Sequence, residues 1–294
     1  MKIVLFGHAG QLGARLQTVL AARAEVRGFD RAQLDIADLP RLRAMLAAER
    51  PDVIVNAAAY TAVDQAESDP AGAARINAEA PRAMAEAAAD LGALLVHYST
   101  DYVFDGAASE PYTEDSVAAP VSVYGQTKLA GEQAIRASGA AHLILRTAWL
   151  YSNHGKNFLK TMLRLAGERD ELRVVADQIG CPTYSDLVAD ATDDILTRMY
   201  ECGALRADCV GTYHVACGGI VSWHGFAQKI MELAGKTQVR VMPITTAEYP
   251  MPARRPAYSV LDCGKLARVF GIRLPSWEDA LQQCLNERER VEQR

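Results

Sequence analysis

The chain has 294 residues, of which 50% are hydrophobic and 23% charged, a balance typical of a folded globular protein rather than a disordered one. Because its length is about twice the ~150-residue prior for a domain, we expect one large domain or two smaller ones. The formal net charge of -5 at pH 7 argues against a protein that binds nucleic acid mainly through electrostatics.

Three features favour a cytoplasmic protein. The longest apolar stretches, such as residues 87–96, are interrupted by Asp90 and fall short of the ~20 residues that cross a bilayer, so we expect no membrane span. The first residues form a strand-like run without the succession of regions that marks a secretory signal. The cysteines form no C-x-x-C pair, which favours reduced, mostly buried thiols over disulfides or a zinc site. They are Cys181, Cys202, Cys209, Cys217, Cys263 and Cys284.

Apolar runs and helical patterns alternate along the first half of the chain. The candidate strands are residues 3–6, 26–29, 53–56, 94–98 and 143–146, and a segment with helix signals follows each of them. Near-continuous apolar strands are typical of a parallel sheet that is covered on both faces. The pattern therefore predicts an α/β fold with a Rossmann-type doubly wound parallel sheet.

A glycine-rich turn directly follows the first predicted strand. Gly7, Gly10 and Gly13 are spaced as G-x-x-G-x-x-G and lead into a helical pattern. Glycines at such a turn let the backbone approach a pyrophosphate, which then lies on the N–H groups at the positive end of the helix. This position predicts dinucleotide binding, with a purely structural tight turn as the alternative.

The second predicted strand ends in Asp30, close to the ~20 residues after the last glycine at which an acid binds the adenosine ribose. An acid there favours NADH, whereas the neighbouring Arg31 could accept the 2′-phosphate of NADPH. We therefore predict NADPH or NADH as the cofactor. A turn-capping role for Asp30 remains the alternative.

One later helix has a clear start and end. Asp69 can cap it, Pro70 fits its first position, and Gly92 stands where a glycine would terminate it. We expect its alanine-rich body, residues 83–89, to pack closely on the sheet.

An acid/base pair follows the fourth predicted strand, which ends in Ser99 and Thr100. Tyr124 and Lys128 come later, four residues apart, on one face of a predicted helix. A phenol with a pKa near 10 is a poor base at neutral pH, but a neighbouring ammonium would stabilise the phenolate and lower that pKa. With Thr100 bonding the substrate oxygen, we predict Thr100, Tyr124 and Lys128 as the catalytic residues.

Beyond Trp149 glycine and proline interrupt the pattern, which indicates a smaller C-terminal substrate-binding domain. We place an NAD(P)-binding Rossmann domain at residues 1–150 and a mainly substrate-binding domain at residues 151–294. Residues 180–218 contain a helix-like and a strand-like segment, and we expect them to return to the first domain.

Longer motifs, spread over nearly the whole chain, carry a resemblance to a known family. They are residues 7–13, 52–64, 98–104, 123–132, 146–149, 177–183 and 252–256. In these motifs the sequence resembles the extended short-chain dehydrogenases/reductases, and among them the dTDP-4-dehydrorhamnose reductase family. The resemblance implies NAD(P)H-dependent reduction of the 4-keto group of dTDP-4-dehydro-β-L-rhamnose to dTDP-L-rhamnose, a nucleotide sugar for lipopolysaccharide and other cell-surface polysaccharides.

The resemblance also implies roles for individual residues. Tyr124 would donate a proton, Lys128 would support Tyr124 and hold the nicotinamide ribose, and Thr100 would tune both. The residues implied in cofactor binding are Gly7, Gly10, Gln11, Leu12, Gly13, Asp30, Asp35, Ile36, Ala59, Tyr60, Thr61, Tyr124 and Lys128. The residues implied in substrate binding are Thr100, Asp101, Trp149, Arg254 and Arg255, and Asn77 is a lesser candidate for the active-site water network.

Some of these assignments have alternatives. Arg254 or Arg255 suits the substrate diphosphate because a guanidinium fork matches phosphate oxygens, but both could be solvated surface side chains. Trp149 could instead fill the core.

Two positions depart from related patterns. Sugar-nucleotide dehydratases resemble this chain but carry an acid where it has Tyr102, so simple reduction is favoured over dehydration. Some members of the reductase family are dimers bridged by magnesium through glutamates, and Arg15 stands at one of those positions. We therefore predict no metal, also because the six histidines lack ligand spacing, and expect a monomer or homodimer.

Two other functions remain open from the sequence. One is a non-catalytic regulatory subunit resembling the methionine adenosyltransferase β subunit, although the intact Thr100, Tyr124 and Lys128 set weighs against it. The other is a reductase of another sugar nucleotide. In each case the expected ligand is a small molecule, with neither nucleic acid nor membrane as a partner.

Overall fold

The computed structural model describes residues 1–201 and 204–292. Strands and helices alternate through the first half of the chain. They are β1 (Lys2–Phe6), α1 (Gln11–Ala21), β2 (Glu25–Phe29), α2 (Leu39–Glu49), β3 (Val53–Asn56), α3 (Val63–Ala66), α4 (Pro70–Ala74), α5 (Ala80–Leu91), β4 (Leu94–Thr100), α6 (Val123–Ala137) and β5 (His142–Thr147). All five predicted strands are present, and most are one or two residues longer than predicted.

The second half contains shorter strands between its helices. They are β6 (Leu150–Tyr151), α7 (Phe158–Leu165), β7 (Glu171–Val175), β8 (Ile179–Gly180), β9 (Thr183–Tyr184), α8 (Ser185–Met199), β10 (Gly211–His214), β11 (Val221–Ser222), α9 (Trp223–Leu233), β12 (Arg240–Ile244), α10 (Gly264–Phe270) and α11 (Trp277–Glu292).

Within the described ranges, the central sheet has six parallel strands in the order β10-β5-β4-β3-β1-β2. The chain runs from β1 outward to β2 and then returns to β3 on the other side, so the order reverses between β1 and β3. Every residue of β3 and β4 is buried because helices cover both faces of the sheet. The predicted doubly wound α/β fold is confirmed.

The two faces of the sheet have separate apolar cores. One lies under α2, α5 and α6, where Val4, Ile54 and Leu95 point from the strands. The other lies under α1 and α8, and β10 extends the sheet beside β5. Helix α8 and strand β10 lie within residues 180–218, the segment that we expect to return to the first domain. Helix α8 packs beside α1 on one face of the sheet, and β10 is a strand of the sheet itself. Helix α10 adds Leu266 and Phe270 to this core, which the sequence did not indicate.

A further apolar core joins α7, α9 and α11 to the parallel pair β7 and β12. Its largest side chains include Tyr151, Tyr184, Phe226 and Trp277. All of these elements follow β5 in the sequence.

The helical segment between Asp69 and Gly92 is less regular than its sequence predicts. Asp69 caps it as expected, since Oδ1 accepts a hydrogen bond from the N–H of Gly72 at 3.0 Å, and Gly92 ends it at a φ of 68°. Between α4 and α5, however, Arg75–Glu79 forms a π-helical turn. Such wide turns occur often at functional sites, and here the turn contains Asn77.

The sequence predicts no membrane span and mostly buried, reduced thiols. No helix in residues 1–201 or 204–292 is long and apolar enough to span a membrane. Cys181, Cys209, Cys217 and Cys284 are buried free thiols, and Cys263 is half-buried. Cys202 lies outside the described residues.

Candidate active site

The glycine-rich turn lies where the strand order of the sheet reverses. The N–H of Gly7 donates to the carbonyl of Phe29 at 2.8 Å, and Gly7 has a φ of 75°. A Cβ atom on Gly13 would lie 2.0 Å from the carbonyl oxygen of Gly7, so only glycine allows α1 to start this close to β1. Helix α1 has no side-chain cap at Gly10, which leaves its first N–H groups for an anionic ligand. A dinucleotide phosphate fits this cradle.

Gln11 and Leu12 differ in what their side chains contact. The Leu12 side chain is buried in the core, so only its backbone can face a cofactor. The Oε1 atom of Gln11 accepts hydrogen bonds from Nδ2 of Asn157 at 2.8 Å and from Oγ of Ser152 at 3.2 Å. Gln11 therefore connects the glycine turn to the loop after β6, a contact that the sequence did not indicate.

The carboxyl end of β2 is built around Asp30. Oδ1 of Asp30 accepts from the N–H of Gln33, and Oε1 of Gln33 accepts from the N–H of Asp30, both at 2.9 Å. The turn-capping alternative for Asp30 is therefore realised by Oδ1. The Arg31 side chain is 82% exposed and forms an ion pair with Asp35 at 3.4 Å, so an acid and a guanidinium lie together at this end of β2. Ile36 is buried in the core.

The segment after β3, residues 59–61, is held by Asn77. Oδ1 of Asn77 accepts from the N–H of Tyr60 at 2.9 Å, and Nδ2 donates to the carbonyl of Tyr60 at 3.1 Å and to Oγ1 of Thr127 at 3.2 Å. Gly131 makes this possible, because a Cβ there would lie 2.2 Å from the carbonyl oxygen of Asn77. Asn77 thus fixes the backbone of the predicted cofactor segment to α6, a role that the sequence did not indicate.

The structure places Tyr124 beside Thr100 at the carboxyl end of β4 and binds Lys128 to Tyr98 of the same strand, and all three predicted catalytic side chains are buried. Ser122 caps α6 by accepting from the N–H of Gly125 at 3.2 Å, which places Tyr124 in the first turn. A Cβ on Gly125 would lie 2.2 Å from the carbonyl oxygen of Tyr102, so glycine lets the helix approach this closely. Tyr124 is hydrogen bonded to Thr100 and meets the ring of Tyr102 edge-on, at a centroid distance of 5.5 Å.

The protonation of Tyr124 differs from the sequence-based expectation. Burial raises the pKa of Tyr124 to about 12, and the hydrogen bond with Thr100 opposes that rise. The expected lowering of this pKa by Lys128 is wrong for the protein alone, because burial dominates and the Nζ atom of Lys128 is bound to the carbonyl of Tyr98 instead. A phenol with this pKa stays protonated at neutral pH, so Tyr124 holds a proton that it can donate.

Lys128 is only 2% exposed and is bound to the fourth strand. Its Nζ atom donates to the carbonyl of Tyr98 at 2.6 Å and lies 3.2 Å from Nε2 of His97. Burial lowers the pKa of Lys128 to about 8, and the negative charge of Glu132 opposes this change. The sequence does not indicate this contact of His97, although a polar residue inside a wholly buried strand is a signal that could have done so.

Asp101 follows Thr100 and is also buried. Its Oδ1 atom accepts from Oγ1 of Thr100 at 3.0 Å. Burial raises the pKa of Asp101 to about 6, although hydrogen bonds with Ser259 and Thr100 oppose the rise. A carboxyl group therefore adjoins the proton donor and changes charge in a mildly acidic range.

Trp149 has an unusual backbone and a stacked side chain. Its φ of 45° is uncommon for a residue with a Cβ. Its indole stacks on Trp223 at a centroid distance of 3.6 Å, and a Cβ on Gly180 would lie 2.5 Å from it. Both ring planes are therefore fixed by packing, in a strained conformation of the kind that collects at ligand sites.

Arg254 and Arg255 have different environments. Arg254 is exposed. The Nη1 and Nη2 atoms of Arg255 donate to the two carboxylate oxygens of Asp64, at 3.0 and 2.7 Å, and Arg255 also hydrogen bonds with Tyr102. This bidentate pair fastens the segment around Arg255 to the start of α3 and to the ring that packs on Tyr124.

Arg15 forms an ion pair instead of facing solvent alone. Its Nε and Nη2 atoms both lie 2.9 Å from Oδ1 of Asp190, which joins α1 to α8. Within the part of the chain that the structure describes, no group of three or more His, Cys, Asp or Glu side chains is arranged to hold a metal ion.

These features define a Rossmann-fold oxidoreductase of the short-chain dehydrogenase/reductase type. They are the doubly wound parallel sheet, the glycine turn at its switch point, and the buried side chains of Thr100, Tyr124 and Lys128. The family model described as RmlD substrate binding domain matches residues 1–290. The chain belongs to this family, so the family and enzyme class predicted from its sequence are confirmed.

Individual relatives agree over the full length. The dTDP-4-dehydrorhamnose reductase of Sinorhizobium fredii is 45% identical over 289 residues, which are 97% of each chain. The crystal structure of a dTDP-4-dehydrorhamnose reductase from Clostridium acetobutylicum matches with a TM-score of 0.91 and 41% identity, covering 98% of this chain and 100% of that one. The enzyme from Bacillus anthracis, solved in complex with NADP, matches with a TM-score of 0.89 and 39% identity, covering 97% and 99%.

Proposed function

We propose that the chain reduces the 4-keto group of dTDP-4-dehydro-β-L-rhamnose to give dTDP-L-rhamnose, with NADPH or NADH as the reductant. The observation that carries this proposal is the protonated, buried Tyr124 beside Thr100 at the carboxyl end of β4, in a chain of this reductase family. We place the reaction in the cytoplasm, in a monomer or homodimer, as a step toward cell-surface polysaccharide.

The glycine turn and the segments after β2 and β3 bind and orient the cofactor. Backbone N–H groups at the start of α1 would hold its pyrophosphate, and the segment fixed by Asn77 would contribute further contacts. When bound, the nicotinamide supplies the hydride that reduces the carbonyl carbon. Lys128, anchored by its bond to Tyr98, holds the nicotinamide ribose.

Tyr124 and Thr100 act on the carbonyl oxygen of the substrate. As negative charge develops there, Tyr124 gives its phenolic proton to the oxygen, and the Thr100 hydroxyl turns from Asp101, to which it donates in the free protein, to donate a hydrogen bond to it. The hydrogen bond between the two side chains aligns them before substrate binds. Such a pair of donors, held close together by the fold, stabilises the negative charge of the transition state.

The remaining substrate contacts are divided between two elements. Trp149, fixed by Trp223, gives a flat apolar surface beside the sugar, and Asp101 lies next to the reacting carbonyl. Arg254 is the better candidate for the diphosphate, because the guanidinium of Arg255 is already bound in both arms to Asp64.

The test is oxidation of NADPH or NADH in the presence of the dTDP-keto sugar, followed by absorbance. Tyr124→Phe should lower turnover by about 10²- to 10⁴-fold and leave cofactor affinity nearly unchanged, because only a transition-state interaction is lost. Tyr213→Phe is the matched control, since its hydroxyl donates to the carbonyl of Cys209 at 2.7 Å, away from the cluster.

Other outcomes distinguish the alternatives. Faster turnover with a UDP- or GDP-keto sugar would indicate a reductase of another sugar nucleotide. Absence of turnover with every keto sugar, together with no effect of Tyr124→Phe, would refute the enzymatic function and favour a regulatory subunit.

A further inference from the structure

A chain of polar contacts runs behind Lys128 and ends on a backbone amide. The N–H of Ala58 donates to Oδ1 of Asn56 at 3.2 Å, and Nδ2 of Asn56 lies 3.0 Å from Nδ1 of His97. Nε2 of the same ring lies 3.2 Å from Nζ of Lys128. Asn56 and His97 are register partners on the neighbouring strands β3 and β4, and both are buried.

The direction of each bond in this chain follows from its first member. A backbone N–H can only donate, so it fixes Oδ1 of Asn56 as the acceptor and turns the amide NH₂ toward His97. Burial of the ring holds the pKa of His97 well below its usual value, so the ring is neutral and carries one proton. With Nδ1 accepting from Asn56, that proton lies on Nε2 and points at Lys128.

An ammonium group has no lone pair, so it cannot accept this N–H. The uncharged amine of Lys128 can accept it while it donates to the carbonyl of Tyr98. A charged Lys128 requires the ring proton on Nδ1 and the oxygen of Asn56 turned toward it. The N–H of Ala58 would then face the amide NH₂, which is an unfavourable meeting of two donors in a buried site.

We propose that Asn56 and His97 are positioning residues that favour the uncharged amine of Lys128. Uptake of one proton converts the amine into an ammonium, and it moves the ring proton of His97 from Nε2 to Nδ1 with a turn of the Asn56 amide. The effect of this coupling on catalysis rests on the proposed function, in which Lys128 supports Tyr124 and holds the nicotinamide ribose.

The other charges around Lys128 do not determine the direction of the hydrogen bonds between Asn56, His97 and Lys128. Among the described residues, Glu132 is the group whose charge raises the pKa of Lys128, and it lies one turn further along α6. Glu132 is itself bound by Arg136 and Arg146. Its charge favours the ammonium, so it opposes the effect that we assign to Asn56 and His97.

The ring nitrogens of His97 provide a direct test in the protein without cofactor. Histidine labelled with ¹⁵N should show the proton on Nε2 above the pKa of Lys128, and a change toward Nδ1 as Lys128 becomes charged. A ring that keeps its proton on Nδ1 throughout this range would overturn the proposal. This measurement needs no variant and no turnover.

Two variants extend the test through the Nζ resonance of Lys128. In His97→Gln the side-chain amide reaches the position of Nε2 and can present its oxygen, so the pKa of Lys128 should rise by about one pH unit. Asn56→Asp should also raise it, because a carboxylate accepts from both Ala58 and Nδ1 of His97. Tyr98→Phe is the control, since it removes only a hydroxyl that bonds Thr192 at 2.7 Å.

The variants also separate this proposal from the proposed function. An unchanged pKa of Lys128 in His97→Gln would refute the positioning role even if the enzyme is active. The expected rise of the pKa in a protein without turnover would leave the positioning role standing and refute the function. In the active enzyme, the limb of the kcat profile that reports Lys128 should move by the same amount as its pKa.

Discussion

Replacing Glu132 by glutamine should destabilise the protein more than any surface charge change. The Glu132 side chain is 0% exposed and accepts from Nε and Nη2 of Arg146, at 2.9 and 2.7 Å. Arg146 is 3% exposed, and its guanidinium lies 5.1 Å from the ring centroid of Phe104. Glu132→Gln keeps the shape of the side chain but leaves this guanidinium buried without its counter-charge.

The size of the effect follows from the burial of both partners. Removing one partner of a buried ion pair costs about 3–5 kcal/mol. The unfolding entropy is about 2.1 cal/mol/K per residue, or roughly 0.6 kcal/mol/K for this chain, so the Tm should fall by about 5–8 °C. Because the Glu132 carboxylate also raises the pKa of Lys128, that pKa should decrease in the same variant.

Thermal unfolding followed by calorimetry at constant pH measures the first effect. Arg164→Gln is the control, because it breaks an exposed ion pair with Glu168 one helical turn away. An exposed pair of this kind contributes about 0.3–0.5 kcal/mol, so its Tm should change by less than about 1 °C. If Glu132→Gln and the control gave the same Tm, the buried pair would not carry the stability that we assign to it.

Three further predictions concern the site. Gly13→Ala should weaken NADPH or NADH binding at least tenfold in a fluorescence titration, because its Cβ would lie 2.0 Å from the carbonyl oxygen of Gly7; unchanged affinity would contradict the cradle. The raised pKa of Asp101, about 6, means that its contribution to stability is fully present below its unfolded pKa and is lost as the pH rises through about 6. The free energy of unfolding of Asp101→Asn, measured with urea, should therefore increase relative to that of the natural protein by up to about 3 kcal/mol between pH 4 and pH 7. A difference that does not depend on pH would contradict this. Asp64→Asn should loosen the segment that carries Arg254 and so raise KM for the sugar nucleotide without changing cofactor affinity, whereas a wholly structural pair would change the Tm alone.

Local sequence signals predicted those features that depend on neighbours in the chain. Buried apolar runs predict the strands because each central strand must be apolar on both faces. Asp69 and Gly92 mark the ends of a helix because their capping chemistry is local. The glycine spacing predicts the turn because its close contacts lie within a few residues.

Features that depend on contacts between residues far apart in the sequence were not predicted. The π-helical turn contains Asn77, whose side chain bonds Tyr60 and Thr127, and both partners are far away in the chain. The direction of the Tyr124 pKa depends on burial among side chains that only the fold assembles, and on where Lys128 points. His97 lacks any ligand spacing, and its role is visible only next to Asn56 on the adjacent strand.

The late position of α8 and β10 in the chain has a consequence for synthesis. The outermost strand on one side of the sheet is β10, which ends at His214, and α8 covers apolar residues of α1 and β1. A nascent chain that has reached only β5 therefore leaves Leu16 and Val96 without their cover. The two halves should then fold as one cooperative unit after release from the ribosome, and a gene cut after residue 150 should yield an aggregating fragment rather than a free-standing nucleotide-binding module.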